Sequence, residues 1–294
     1  MRLSIVIVSP NTAALLERCL MSLAGQMESS DTEVIVVSNY DGAAAMVAAR
    51  FPHVRCLPMP PHTTVPELRA EGIRHSHGAI VALAEDHGYF GEGWCDAVTE
   101  AHEGPHAIIG GVVENDPAQA PLDWAVYFYD YSKYMLPQMA GPVETLSGNN
   151  VSYKRTLLDA ERDSYRNGFY EAFLHQRFKE LGHALYLAPN AIVVHNKHYA
   201  LGSALAQCFH FGRSYGGMRV TGAPLTTRST YALASLVLPA LLPARIVLRT
   251  LRKRRHLSEL VLSLPYLVVL MSGWAAGELC GYLAGEGDSS RRWT

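Results

Sequence analysis

The sequence predicts an α/β protein: a mostly parallel sheet with helices on both faces, continued by a C-terminal hydrophobic helical hairpin. Three observations carry this. Apolar runs at residues 3–8, 33–37 and 79–84 show no polar alternation and are too short for helices, so they read as strands buried on both faces. Stretches with apolar residues at helical spacing separate them, as expected for parallel strands joined by crossover helices. Towards the C-terminus the composition changes, with two long apolar segments on either side of a basic one. The expected domains are residues 1–222 and 223–294.

Composition sets the bounds. A chain of 294 residues, 49% hydrophobic, is long enough for one large core plus an appendage. A formal net charge of −2 provides no basic field for nucleic acid, which argues against that partner. Cys19, Cys56, Cys95, Cys208 and Cys280 are odd in number and form no CxxC pair, which fits a reducing compartment and offers neither a disulfide framework nor a zinc site. The run at 3–8 is too short for the core of a signal peptide, so the catalytic part is expected in the cytoplasm.

The first strand ends at Ser9-Pro10-Asn11, and Asn11 can cap a helix over 12–23 in which Ala14, Leu15, Cys19 and Leu23 recur at helical spacing. The second strand ends at Ser38-Asn39-Tyr40-Asp41-Gly42; a short alanine-rich helix, a third strand at 54–57 and a proline-rich turn follow. A helix over 66–75 carries Arg69 and leads into the central strand at 79–84, which stops at Glu85-Asp86-His87. Ligands in open α/β sheets gather outside the carboxyl ends of strands. Three oxygen and nitrogen ligands at such an end can seat a divalent cation, or they can be an acidic turn capping the next helix.

Beyond Trp94 the spacing predicts a strand at 107–113, an aromatic helix over 122–135 that could line a groove, and a tight turn at Leu146-Ser147-Gly148-Asn149-Asn150 feeding an edge strand. A helix over 168–181 is stopped by Gly182; short strands at 184–187 and 191–194 follow, the second ending at His195, and then a helix over 202–215. The apolar segment 231–248 contains Pro239 and Pro243, and Arg245, Arg249, Arg252, Lys253, Arg254 and Arg255 precede a second apolar segment at 257–284. Both are long enough to be considered as spans. A two-span hairpin would export the basic loop, against the positive-inside preference. The expectation is a bent or interfacial attachment to the cytoplasmic leaflet of the cell membrane.

Taken together, residues 3–213 resemble the family 2 inverting glycosyltransferases, whose fold is GT-A, a Rossmann-like sheet. SIVIVSPN is similar to the family's opening strand and nucleotide loop, EVIVVSNYDG to its second strand, and LRAEGIRHSHGAIVALAEDH to the helix-strand unit ending in a D-x-D-type metal motif. LSGNNVSYKR is similar to the acceptor-side turn, and YEAFLHQRFKELGHALYLAPNAIVVH to the acidic-pair, Arg, Gly and His pattern.

The resemblance implies metal-dependent transfer of a sugar from a nucleotide-diphosphate donor to a glycan or lipid-linked acceptor. It assigns Asp86, His87 and His195 to Mn²⁺ or Mg²⁺, with the imidazoles favouring Mn²⁺. Pro10, Ser38, Asp41, Arg69 and Glu85 fall on the nucleotide-sugar side, and Trp94, Asn149 and Asn150 on the acceptor side. The metal would neutralise the leaving diphosphate, and Glu171 would be the base that takes the acceptor's hydroxyl proton. Arg177 would brace the helix or meet a phosphate. Two positions depart from the pattern. Tyr170 stands where the family has the first acid of its pair, and Ser38 where it often has Asp, with Asp41 the nearby candidate. A nucleotidyltransferase, which would usually show a Gly-rich loop after the first strand, and a non-catalytic membrane scaffold are the competing readings.

Overall fold

A computed structural model describes residues 2–27 and 31–292. The apolar runs become strands and the periodic stretches helices: β1 (Leu3–Ser9), α1 (Ala13–Met27), β2 (Thr32–Ser38), α2 (Ala43–Arg50), β3 (Arg55–Pro58), α3 (Val65–His75) and β4 (Ile80–Glu85). There follow β5 (Gly88–Phe90), α4 (Trp94–Ala101), β6 (Ile108–Asn115), α5 (Pro121–Tyr131), β7 (Gly141–Val143), β8 (Asn150–Lys154), α6 (Arg155–Ala160), α7 (Glu171–Glu180) and β9 (Leu185–His195). The chain ends in α8 (Leu201–Arg219), α9 (Leu225–Ser235), α10 (Leu238–Lys253) and α11 (Leu257–Ala284).

By its contacts the chain divides into two units, Met1–Asp116 with Tyr134–Asn196, and Pro117–Lys133 with Lys197–Thr294. The boundary expected after residue 222 lies inside the second unit, which also takes in α8 and α5.

The first unit is one sheet of order β3-β2-β1-β4-β8-β6-β9-β5, with β7 paired to β9 off that path. Strands β1, β2, β3, β4, β6 and β9 run in one direction, and β5, β7 and β8 oppose them. This is the expected α/β sheet of mostly parallel strands. Successive side chains of β1 point to opposite faces, and both faces are covered. Leu3, Ile5 and Ile7 pack with Leu16, Cys19, Leu20 and Leu23 of α1. Val6 and Val8 pack with Leu68, Ala70 and Ile73 of α3. Register sets Ser9 beside Ser38 and Val8 beside Glu85, so the carboxyl ends of β1, β2 and β4 finish level.

Several local expectations are corrected. The strand at 150–154 is no edge; β8 lies between β4 and β6, antiparallel to both. Short-range pattern fixes that a segment is a strand, whereas its place in a sheet is fixed by partners distant in sequence. The two strands expected at 184–187 and 191–194 are one, β9, with a register shift opposite Gly110 and Val112 that absorbs the interruption. Helix α7 starts at Glu171 rather than 168; Phe169 is buried ahead of it, and Phe173 is 47% exposed.

In the second unit α11 packs against α5, α8, α9 and α10. Its approach to α8 is backbone-close, because a Cβ on Gly212 would lie 2.2 Å from the Trp274 carbonyl oxygen and one on Gly277 would lie 2.1 Å from that of Phe209. The aromatic side of α5, expected to line a groove, is interior: Trp124, Tyr127 and Phe128 are buried. The first apolar stretch is a pair, α9 and α10, bent by 61° at Leu236-Val237. Pro239 sits in the first turn of α10, where a missing N–H costs no intrahelical bond. The expected hairpin is thus a bent pair followed by one long helix.

Candidate active site

The level carboxyl ends of β1, β2 and β4 carry the polar residues. The Asp86 backbone N–H donates to Val8 O at 3.0 Å, which continues the strand pairing one residue past β4. Its carboxylate turns towards the loop after β1. Ser9 Oγ–H donates to Oδ2 at 2.7 Å and the Asn11 N–H at 3.2 Å, while Asn11 Nδ2 donates to Oδ1. Burial raises the Asp86 pKa to about 6, against the lowering effect of these donors. Ser38 is buried, its Oγ accepting from the Tyr40 N–H at 3.4 Å. Pro10 is half-buried beside this clasp, and Asp41 is exposed ahead of α2.

Glu85 faces the other side of the sheet, as alternation requires. There the buried Arg69 of α3 donates from Nη2 to Glu85 Oε1 at 2.6 Å and from Nη1 to Glu171 Oε2. Burial alone would lower the Arg69 pKa, but the Glu171 and Glu85 carboxylates outweigh it and hold the guanidinium charged. Glu171 is the first residue of α7, and its side chain is 31% exposed, so one carboxylate of the cluster reaches solvent.

The turn before β8 closes over this cluster. A Cβ on Gly148 would lie 2.7 Å from Glu171 Oε1 and 2.9 Å from Arg69 Nη2, so a side chain at that position would push these two groups aside. Asn149 beside it is buried, with Oδ1 accepting from Ser147 Oγ at 2.7 Å. Behind α7, Tyr153 Oη lies 2.7 Å from His175 Nε2, and burial lowers the His175 pKa to about 4, so that imidazole is neutral.

His87 and His195 meet edge to face, with ring centroids 5.1 Å apart. His87 Nδ1 lies 3.5 Å from Glu85 Oε2 and 3.9 Å from Asp86 Oδ1, and His195 Nδ1 lies 3.0 Å from Asn115 Oδ1. Imidazole with carboxylate is a donor chemistry that suits Mn²⁺. The geometry is not a ready-made cage. Among the described residues no group of three or more His, Cys, Asp or Glu is placed to hold a metal ion. The Asp86 oxygens are engaged by Ser9 and Asn11, and Glu85 by Arg69. The side chains fit a metal only in part.

The structure thus brings Arg69, Glu85 and Glu171 into one cluster with the Gly148-Asn149 turn, and sets Asp86 and His87 at its margin. Trp94 and Asn150, expected to line the acceptor side, lie inside the core. Each is 1% exposed; Trp94 Nε1–H donates to Asn150 Oδ1 at 3.0 Å, and Asn150 Nδ2 donates to Val112 O and Ala191 O. That network ties α4 to β6, β8 and β9 and closes the Trp94 ring off from a sugar. Arg177 pairs with Glu161 at 2.6 Å on the surface. Ser9 and Gly148 were not singled out from sequence, and Asn11 was read as a helix cap. The signal available was their position in the two loops that flank the central strand.

Solved structures similar to this chain share its architecture. S. aureus TarS, residues 1–349, aligns with a TM-score of 0.51 at 14% identity, covering 72% of this chain and 64% of that one. The mannosyltransferase PcManGT from Pyrobaculum calidifontis, solved in complex with GDP-Man and Mn²⁺, aligns with a TM-score of 0.57 at 16% identity, covering 95% of this chain and 87% of that one. This chain spans less than two thirds of the TarS fragment. At these identities the likeness shows the fold, and that fold is GT-A. No curated protein sequence matches. The sequence model of glycosyl transferase family 2 matches residues 4–161, more than half of the 294. With that match lying over β4, whose end presents Asp86, and over α3, which carries Arg69, the chain belongs to the family 2 glycosyltransferases.

Proposed function

We propose that this glycosyltransferase moves a sugar, with inversion, from a nucleotide-diphosphate donor to a glycan or lipid-linked acceptor at the cytoplasmic leaflet of a membrane. The observation that carries the reading is the Glu85–Arg69–Glu171 cluster at the carboxyl ends of the parallel strands, with Glu171 open to solvent. In this reading Glu171 takes the acceptor's hydroxyl proton as that oxygen attacks the anomeric carbon. The bond from the anomeric carbon to the donor phosphate breaks on the opposite face, and its electron pair leaves on the nucleoside diphosphate. Arg69 fixes the direction of the Glu171 carboxylate, so that little reorientation is needed at the moment of transfer.

The Ser9-Pro10-Asn11 loop, Ser38, Asp41 and Glu85 form the donor side, and the Gly148-Asn149 turn the acceptor side. Trp94 and Asn150 support that turn from within. Asp86, His87 and His195 would hold Mn²⁺ or Mg²⁺ jointly with the donor's phosphate oxygens; the bound cation supplies Lewis-acid neutralisation of the leaving diphosphate. PcManGT, with GDP-Man and Mn²⁺, supports a nucleotide sugar and a divalent cation as ligands.

The test is a melting-temperature screen of nucleotide sugars with Mn²⁺ or with EDTA, followed by NMR of the product anomer. A donor at about a hundred times its Kd should stabilise the native state by about 2.7 kcal/mol. The stabilisation should be lost in EDTA and in Asp86→Asn, and the product anomer should be opposite to the donor's. No stabilisation by any nucleotide sugar, or a retained anomer, would sink the reading.

A further inference from the structure

Helix α11 carries its polarity in the reverse of the usual order for a helix facing water. It has 28 residues, about 42 Å at 1.5 Å per residue. Between Leu260 and Leu283 its one Asp, Glu, Lys or Arg is Glu278. That carboxylate is turned inward, accepting from Trp274 Nε1–H at 2.5 Å and from Tyr282 Oη–H at 2.6 Å. The residues turned outward are apolar: Val261 is 70% exposed, Leu262 63% and Leu283 63%, with Val268 and Val269 between them. One face of the helix is thus packed in the second unit and the other is open. An uncharged face of that length calls for a cover.

The opposite face decides the geometry. It is packed by α5, with the Trp124 ring tilted 4.8 Å from that of His256 just ahead of the helix and Tyr129 5.9 Å from Trp274. Towards the C-terminal end it is packed by the glycine face of α8. These neighbours are charged. Arg213 of α8 donates from Nε to Gly285 O at 3.2 Å, Arg219 lies 4.2 Å over the Tyr231 ring, and Asp123 of α5 accepts from the Tyr199 N–H at 2.8 Å. Arg213 and Arg219 lie level with the C-terminal end of α11, but a crossing of the bilayer would draw Asp123 towards hydrocarbon. Lying flat, α11 submerges only its apolar side.

Arg252, Lys253, Arg254 and Arg255 stand directly before its first turn. Four consecutive cations at the end of an uncharged face complement anionic headgroups. A second copy offers them no acid along its own outward face.

We propose that α11 lies in the plane of an anionic leaflet as a monotopic anchor, its outward face in the acyl boundary and the 252–255 cluster among headgroups. This deepens the membrane attachment proposed above and does not depend on the donor chemistry. The full-length protein is floated with vesicles of phosphatidylcholine alone or mixed with phosphatidylglycerol. Depth is then read by spin labels at Val261, Val268, Ala276 and Leu283 in a Cys56→Ser, Cys280→Ser background.

Flotation should require the anionic lipid, the four labels should report one depth, and Val261→Glu with Val268→Glu should reduce flotation at least tenfold with an unchanged melting temperature. Labels deepest in the middle and shallow at both ends would mean a crossing helix. Undiminished flotation of the double variant, or none by the wild type, would mean that this face does not bind lipid. A lipid-free dimer abolished by the double variant would assign the face to a second copy. Each of these results overturns the proposal. Nucleotide-sugar binding, measured on the same preparations, reports the catalytic reading separately.

Discussion

Glu85 and Glu171 in the first unit and Glu278 in the second are carboxylates drawn largely out of water, and the protein compensates them differently. The first two flank a buried guanidinium, and Glu171 remains 31% exposed at the head of its helix. Glu278 is met by two neutral donors, an indole and a phenol, from its own helix. A charge partner inside a partly open cluster orients a carboxylate and leaves it reachable, as the proposed base must be. Neutral donors around a fully packed one pin a helix face and leave nothing for a substrate. Burial alone does not set the proposed base apart; the kind of partner and an opening to solvent do.

The largest effect expected from breaking this contrast is on turnover. Glu171→Gln keeps the shape and removes the basicity, so kcat should fall by about two to four orders of magnitude. Donor affinity by calorimetry should be unchanged. Wild-type turnover would move the base elsewhere.

Arg69→Met leaves Glu85 and Glu171 facing each other without their cation. Removing one partner of a buried pair costs about 3–5 kcal/mol, and the exposure of Glu171 places this variant towards the lower end. Urea denaturation at neutral pH measures it.

A buried neutral group supplies a third point of comparison. His102 lies 2.8 Å from Ser152 Oγ, and burial first, then the Lys154 charge, lowers its pKa to about 4. The folded-state pKa lies below the ordinary 6.5, so the unfolded chain takes up the proton first. This contribution is fully present above about pH 6.5 and is lost as pH falls through the window down to about 4, by about 3 kcal/mol in all. His102→Asn should flatten that part of the stability profile; an unchanged acid limb would show that His102 does not cause it.

The smallest effect belongs to Glu278→Gln, which leaves an amide N–H₂ facing a donor and should cost about 1–3 kcal/mol. A loss as large as that of Arg69→Met would mean that both clusters are held by charge, and the contrast would collapse.

The residues that resemble the family carried much of the answer. Strands β1, β2 and β4, the polar triplet Glu85-Asp86-His87 and Arg69 on the helix ahead of it were legible because strand and helix periods are local, and because a strand that stops at charged residues marks its own end. The Gly148-Asn149 turn was legible as a turn. Its purpose was not, since the close approach of Glu171 and Arg69 to Gly148 joins residues far apart in the chain.

By itself, then, the sequence determined the α/β alternation, the polar ends of the strands and the apolar C-terminal segments, each written within a dozen or so neighbouring residues. Tertiary structure alone decided that β8 is central rather than an edge, that Trp94 and Asn150 serve the core, and that α5 and α8 join the C-terminal helices. It alone turned Glu278 inward and the valines of α11 outward. The physical reason is that partner choice in sheets and between helices depends on which buried surfaces and hydrogen-bonding groups meet across long sequence separations, and a local pattern of polarity leaves that choice open.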